Sequence, residues 1–222
     1  MFKYKKFMEN TIDTLFLSGG GINCYLHLGS LKYLYDLDVI NISNIKNYVC
    51  VSGGSLIALP LILNYSLNSC INICTGIESY NVISCDDITL NNIIKGNGIY
   101  KSDFLEKYVR VLLKKKNIND NITLKELYLL TKKTFEIKCV NITKNKIEYL
   151  SYKTYPDMEI YKAIIIGTSA PIIFPYIEYN SNIYCDGGLC GNFPIEKISK
   201  KYNNFIGLWI ESRKTITKID NI

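Results

Sequence analysis

The sequence predicts an α/β fold, a parallel sheet whose strands are joined by crossover helices. Two observations carry this expectation. Leu15-Phe16-Leu17 is a short apolar run. It leads into Ser18-Gly19-Gly20-Gly21 and then into Tyr25, Leu28, Leu31, Leu34 and Tyr35 at helical spacing. Tyr48-Val49-Cys50-Val51 repeats the form, with Ser52-Gly53-Gly54 as the turn and Ser55-Leu56-Ile57-Ala58-Leu59 as the start of an apolar helix. Two strand, glycine loop, helix units placed consecutively are the signature of a parallel sheet.

The remaining elements follow in order. Pro60 is expected to kink or restart the second helix. Residues 66–100 are polar and give no clear assignment, with Asn91 to Gly98 reading as loop. Ser102-Asp103-x-x-Glu106 reads as a capped helix start, followed by Leu105, Tyr108, Val109, Leu112 and Leu113. Thr123-x-x-Glu126 repeats that signature before a second short helix. Phe135 to Ile142 and Lys146 to Tyr152 read as strands around a Lys144-Asn145 turn. Glu159 to Gly167 reads as a helix closed by Ser169-Ala170-Pro171, and Asn182 to Cys185 as a strand ending at Asp186-Gly187-Gly188. Phe205 to Ile210 is a last buried strand, and nothing marks a linker or an internal repeat. The organisation expected is one domain over residues 13–210, with terminal extensions at 1–12 and 211–222.

Composition bounds the function classes. The chain has 222 residues, 48% of them hydrophobic and 21% charged, as expected of a globular protein rather than a disordered one. No apolar run reaches the roughly 18 residues that a membrane span needs. The run from Ala163 to Ile177 is broken by Pro171 and Pro175. The short apolar stretch after Lys3, Lys5 and Lys6 is flanked by Glu9 and Asp13, so no signal peptide is read. Cys24, Cys50, Cys70, Cys74, Cys85, Cys139, Cys185 and Cys190 mostly sit within apolar patterns and read as reduced thiols of a cytoplasmic protein. Cys70-x3-Cys74 and Cys185-x4-Cys190 lack partner histidines, so no metal is expected. Of the net charge of +6, the segment 101–146 carries twelve Lys and Arg against five Asp and Glu. Such a segment is either a solvated face or an attraction for an anionic membrane surface. No nucleic-acid module appears.

Three glycine-marked turns follow predicted strands, at Gly19-Gly20-Gly21, Ser52-Gly53-Gly54 and Asp186-Gly187-Gly188. In an open parallel sheet the C-terminal strand ends share one edge, and ligands bind there. A serine lifted out of a sheet on such an elbow is placed to act as a nucleophile. The glycine loop offers backbone N–H groups to a developing oxyanion. The proton acceptor cannot readily be His27, the single histidine, because it lies inside the helix after the glycine loop and reads as a packing residue. Asp186 is the best-placed alternative, and a carboxylate with an ordinary pKa near ~4 needs a desolvated pocket for that task.

Four segments resemble the patatin-like phospholipase family. Ser18-Gly19-Gly20-Gly21-Ile22-Asn23-Cys24-Tyr25-Leu26-His27-Leu28-Gly29-Ser30-Leu31 resembles its glycine-rich oxyanion loop, and Cys50-Val51-Ser52-Gly53-Gly54-Ser55 its serine elbow. Ala163 to Pro175, with Ser169-Ala170-Pro171, resembles its Ala-Ser-x-x-x-Pro-x-x-Phe-x-Pro segment. Asp186-Gly187-Gly188-Leu189-x-x-Asn192-Phe193-Pro194 resembles its Asp-Gly-Gly block. Cys50 stands where that elbow has a first glycine, and Asn23 and Cys24 where the loop has a basic residue and a further glycine.

The resemblance implies a three-layer sandwich, a mainly parallel central sheet flanked by helices. It also implies a phospholipase A type acyl hydrolase of membrane or storage lipids, with Ser52 as nucleophile and Asp186 as base. Gly19, Gly20, Gly21 and Gly53 would bind the oxyanion and substrate, with no cofactor. The partners implied are a phospholipid or acylglycerol substrate and a peripheral membrane or lipid-droplet surface, reached through the basic segment 101–146. Two alternatives stay open: a lipid-binding module of the same fold without turnover, and a lipid transacylase using the same pair.

Overall fold

The computed structural model describes residues 12–77, 98–198 and 202–211. All but the last residue of the loop expected at Asn91 to Gly98, Cys85 and most of both terminal extensions lie outside them.

Seven strands form one sheet: β1 Thr14–Leu17, β2 Asn47–Val51, β3 Thr134–Asn141, β4 Lys146–Leu150, β5 Ile177–Tyr179, β6 Asn182–Asp186 and β7 Phe205–Leu208. Their order is β5-β6-β3-β2-β1-β7, with β4 also paired to β3. The pairings β7-β1, β1-β2 and β2-β3 are parallel, as the two strand and glycine loop units require. β4, β5 and β6 add antiparallel pairings. The fold is therefore mixed α/β, a central sheet flanked by helices.

The register of β3 positions the site. Ile137 and Lys138 pair with both β2 and β4, whereas Cys139 pairs with both β4 and β6. β4 thus occupies one edge of β3, while β2 and β6 share the other and meet head to head. Val51 ends β2 opposite Lys138, and Asp186 ends β6 opposite Cys139, the next residue. Ser52 and Asp186 are brought together by adjacent positions on a third strand.

The helices are α1 Leu26–Asp36, α2 Gly54–Ile62, α3 Leu67–Ile77, α4 Asp103–Lys114, α5 Leu124–Thr131 and α6 Ile160–Thr168. They bury Leu28, Leu31, Ile57, Leu61, Val109, Leu113, Leu127 and Ile164 against Leu15, Leu17, Tyr48, Cys50, Ile137 and Cys139, which alternate along the strands. α3 is the helix that the polar segment after residue 66 concealed. β5 was likewise not read from the sequence.

Two expectations about helix ends are corrected. α2 runs through Pro60 without a break. Pro60 has no N–H for the Leu56 carbonyl, and the Tyr108 hydroxyl of α4 donates to that carbonyl instead, at 3.0 Å. Ser102 precedes α4 but its side chain makes no capping bond there, because its backbone, at φ −83° and ψ 0°, lies outside the extended region a capping residue adopts, and Glu106 lies four residues on rather than the three a capping box needs. Thr123 and Glu126 do form the reciprocal box at α5.

The opposite face of the sheet differs in chemistry. Phe16, Val49, Tyr149 and Tyr202 form a small cluster packed by Phe193 and Ile198. Beside it Glu136 and Lys138 are buried, in alternation with the apolar Phe135, Ile137 and Cys139. Lys197 pairs with Glu136 at 2.8 Å, and the Tyr202 hydroxyl donates to Glu136 at 2.8 Å. Residues 187–198, together with Tyr202, cover this face.

Candidate active site

Ser52 stands between β2 and α2 with φ +49°, a left-handed conformation that a non-glycine residue holds at a cost of about 1–3 kcal/mol. The first turn of α2 fixes it, since the Ser55 backbone N–H and hydroxyl both donate to the Ser52 carbonyl, at 2.9 and 2.7 Å. The glycines after it serve close approach. A Cβ on Gly54 would lie 2.6 Å from the Ser18 carbonyl oxygen, and one on Gly53 2.9 Å from the Cys24 Cβ. Cys50 sits in regular parallel register with Leu17 and Ile137 and is fully buried, so a side chain is accommodated at that position.

The loop after β1 lies against this elbow. A Cβ on Gly19 would come within 3.1 Å of the Ser52 Cβ. The Gly19 N–H is already engaged, donating to the Asn192 carbonyl at 3.0 Å, while the Asn192 side-chain amide donates to the Gly19 carbonyl at 3.0 Å. Gly19 therefore supplies close approach and a clamp point rather than an oxyanion donor. The N–H groups of Gly20 and Gly21 have no backbone hydrogen-bond partner among the described residues. They stand at the entrance to a 3-10 turn, Gly21–Tyr25, that runs directly into α1, where the helix dipole favours negative charge.

Asp186 completes the group. It is 4% exposed, and its carboxyl is pushed above the ordinary carboxylate value by burial. Hydrogen bonds from the Ser52 side chain and from the Gly188 N–H, the latter at 2.7 Å, act in the opposite direction. The Asp186 N–H donates to the Ser169 carbonyl at 3.0 Å, which ties the end of β6 to the segment after α6. His27 is apart from this chemistry: it is buried, and its Nε2–H donates to the Ser18 carbonyl at 2.9 Å. Burial lowers its pKa, so the imidazole is a neutral brace beneath the glycine loop.

Two residues of the site were not singled out from the sequence. Asn192 carries no local signal of its role, since its partner Gly19 is 173 residues away. Lys138 lies within the basic segment 101–146. That segment is not a uniform solvated face: Lys133 and Lys138 are buried, and Arg110 pairs with Glu106 and Asp120. Lys116 donates to the Asn64 carbonyl, and Lys146 pairs with Glu148. Among the described residues no group of three or more metal-ligating side chains converges, and no helix is long and apolar enough to cross a membrane.

A strained serine at the end of a parallel strand, a buried carboxyl at the end of the antiparallel strand that meets it and a glycine loop at a helix start define one site on an α/β fold. The model of the family described as Patatin-like phospholipase matches residues 15–198, and the chain belongs to that family. It is 34% identical over 191 residues to "Probable lipid hydrolase 463L" of Invertebrate iridescent virus 6, covering 86% of this chain and 64% of that one. It is 29% identical over 204 residues to "Uncharacterized protein R571" of Acanthamoeba polyphaga mimivirus, covering 92% of this chain and 67% of that one. Among solved structures, VipD from Legionella pneumophila superposes with a TM-score of 0.62 at 16% identity, over 89% of this chain and 49% of that one. ExoU from Pseudomonas aeruginosa, solved in complex with SpcU, gives 0.52 at 16% identity, over 77% and 41%. The chain thus spans about two thirds of the length of these viral relatives and half or less of the two structural neighbours.

Proposed function

We propose that this chain is a lipid acyl hydrolase of phospholipase A type, working through Ser52 and Asp186. The observation that carries the reading is the Asp186 carboxyl, buried, held by Gly188 and hydrogen-bonded to the serine of a strained elbow. Ser52 Oγ adds to the ester carbonyl carbon as its proton passes to Asp186. The Gly20 and Gly21 N–H groups receive the oxyanion. Collapse breaks the ester C–O bond, and the proton returns from Asp186 to the leaving alkoxide. Water then attacks the acyl-enzyme with Asp186 again as base, releasing the fatty acid and Ser52. Burial supports this role, because it lifts a carboxyl toward the pH at which it accepts a proton effectively.

The substrate and the membrane surface are parts of the same proposal. Ile22, after Gly21, is 78% exposed, and Leu189, after Gly188, is 60% exposed. Both stand on the loops that bear the site, where acyl chains would meet them. They support approach to a lipid surface at the site itself more directly than the segment 101–146, in which Lys133 and Lys138 are buried and Arg110 and Lys146 are paired. Fluorophosphonate labelling tests the reading: folded wild type is expected to be labelled at Ser52, and Ser52→Ala not at all. Folded wild type that resists labelling would sink it. Mass analysis of products from mixed phospholipid and acylglycerol vesicles separates hydrolysis from acyl transfer.

A further inference from the structure

Lys138 is fully buried, yet it lies on a strand at the centre of the sheet and belongs to no part of the proposed chemistry. Its ammonium has three acceptors: the Cys190 carbonyl at 3.0 Å, the Gly191 carbonyl at 3.1 Å and a Glu196 carboxylate oxygen at 2.8 Å. An ammonium has three N–H donors, so all are used. Two of the acceptors close the 3-10 turn Gly187–Cys190 that follows Asp186. The stem of Lys138 lies beneath the same turn, since a Cβ on Gly187 would come within 2.6 Å of both its Cγ and its carbonyl oxygen. Gly191 leaves the turn with φ +105°, a conformation suited to glycine. The next residue, Asn192, clamps the glycine loop.

We infer that Lys138 is a positioning residue, holding the 186–191 turn down on β3 so that the Gly188 N–H and the Asp186 carboxyl keep their alignment toward Ser52. This rests on the reading of Ser52 and Asp186 as the reacting pair. Lys138 does not touch a substrate and acts through the turn. The pair is buried only on the lysine side, and a buried charge of this kind adds little stability over an apolar equivalent, its better-attested use being to fix one arrangement among several. Glu196, which also accepts from the Tyr149 hydroxyl at 2.7 Å, balances the charge from the rim of the covering segment.

The test compares Lys138→Met, Gly187→Ala and Lys197→Met with wild type, measuring fluorophosphonate labelling and ester hydrolysis per folded molecule across a pH series. Lys138→Met keeps the stem and loses the ammonium. Its kcat and labelling rate are expected to fall about tenfold to a hundredfold, the scale of a small misplacement, with KM within about threefold. The acid limb of its profile is expected to move to higher pH, because a loosened turn weakens the Gly188 bond that favours ionised Asp186. Among the described residues, the other ionisable groups interacting with Asp186 are the thiols of Cys139 and Cys185, both pushed up by burial and so protonated throughout that limb.

Gly187→Ala lifts the turn from its other side and is expected to give the same signature, which keeps the test open should Lys138→Met not fold. Lys197→Met breaks the neighbouring Glu136 pair, away from the turn. It is expected to lower thermal stability and leave the acid limb in place. Lys138→Met or Gly187→Ala with a wild-type rate and limb would overturn the inference, as would an equal limb shift in Lys197→Met. Wild type that is never labelled overturns the Ser52 and Asp186 reading itself, a result distinct from either.

Discussion

The two faces of the sheet are held by different physics. On the helical face, Leu17, Cys50 and Ile137 meet Leu31, Ile57 and Leu61 in continuous apolar packing. On the other face, Glu136 and Lys138 are buried with Lys197, Glu196, Tyr149 and Tyr202 around them. Apolar packing is strong and non-directional, and it accepts volume-conserving change. Buried charges gain little net energy but tolerate few geometries. The helical face therefore carries stability, while the charged face fixes the turn that bears Asp186.

Three substitutions can break or sharpen this contrast. Asp186→Asn should have the largest effect, a loss of about 10²–10⁴-fold in turnover, read from ester hydrolysis. Its stability should move the other way. Burial raises the folded pKa of Asp186, so its contribution is full below the ordinary carboxylate value and is lost as pH rises through the folded one. Melting temperatures of Asp186→Asn relative to wild type are thus expected to improve from acid to neutral pH. A flat difference would mean that the carboxyl is not held up by burial.

Leu113→Ala, which truncates a fully buried side chain of α4 on the helical face, should cost about 2–5 kcal/mol in denaturant unfolding. Its rate per folded molecule should stay close to wild type. A large loss of rate from this variant would erase the distinction between the faces. Tyr108→Phe should have the smallest effect, about 1–3 kcal/mol, because it leaves the Leu56 carbonyl beside Pro60 without its donor. Hydrogen exchange concentrated in α2 would locate that loss.

The same contrast explains what the sequence disclosed. The two glycine loops, the β3-β4 hairpin and α6 were legible because each carries its cause locally, in apolar alternation or glycine at a turn. α3 was not: Leu67, Cys70, Ile71 and Cys74 do recur at helical spacing, but among Asn, Ser and Thr that favour turns. Packing against α1 and α2 overrides that preference. Glu136 and Lys138 alternate with Phe135 and Ile137, a pattern that ordinarily means one wet face. Here the wet face is dry because distant residues, 187–198 and Tyr202, fold over it. Within the site, Ser52 and Asp186 were legible from their turns. The commitment of the Gly19 N–H to Asn192 was not, since nothing local indicates an acceptor so far along the chain.

The head-to-head meeting of β2 and β6 makes β3 a ruler. The gap between Ser52 and Asp186 is set by one step between Lys138 and Cys139, about 3.3 Å of strand. The connections on either side, from the elbow to β3 and from β4 to β6, do not enter that measurement. Such a protein can gain or lose whole stretches there across evolution while Ser52 and Asp186 stay in reach. A single residue inserted beside Lys138 would do what none of those changes does: part the two strand ends and turn the following side chains to the opposite face.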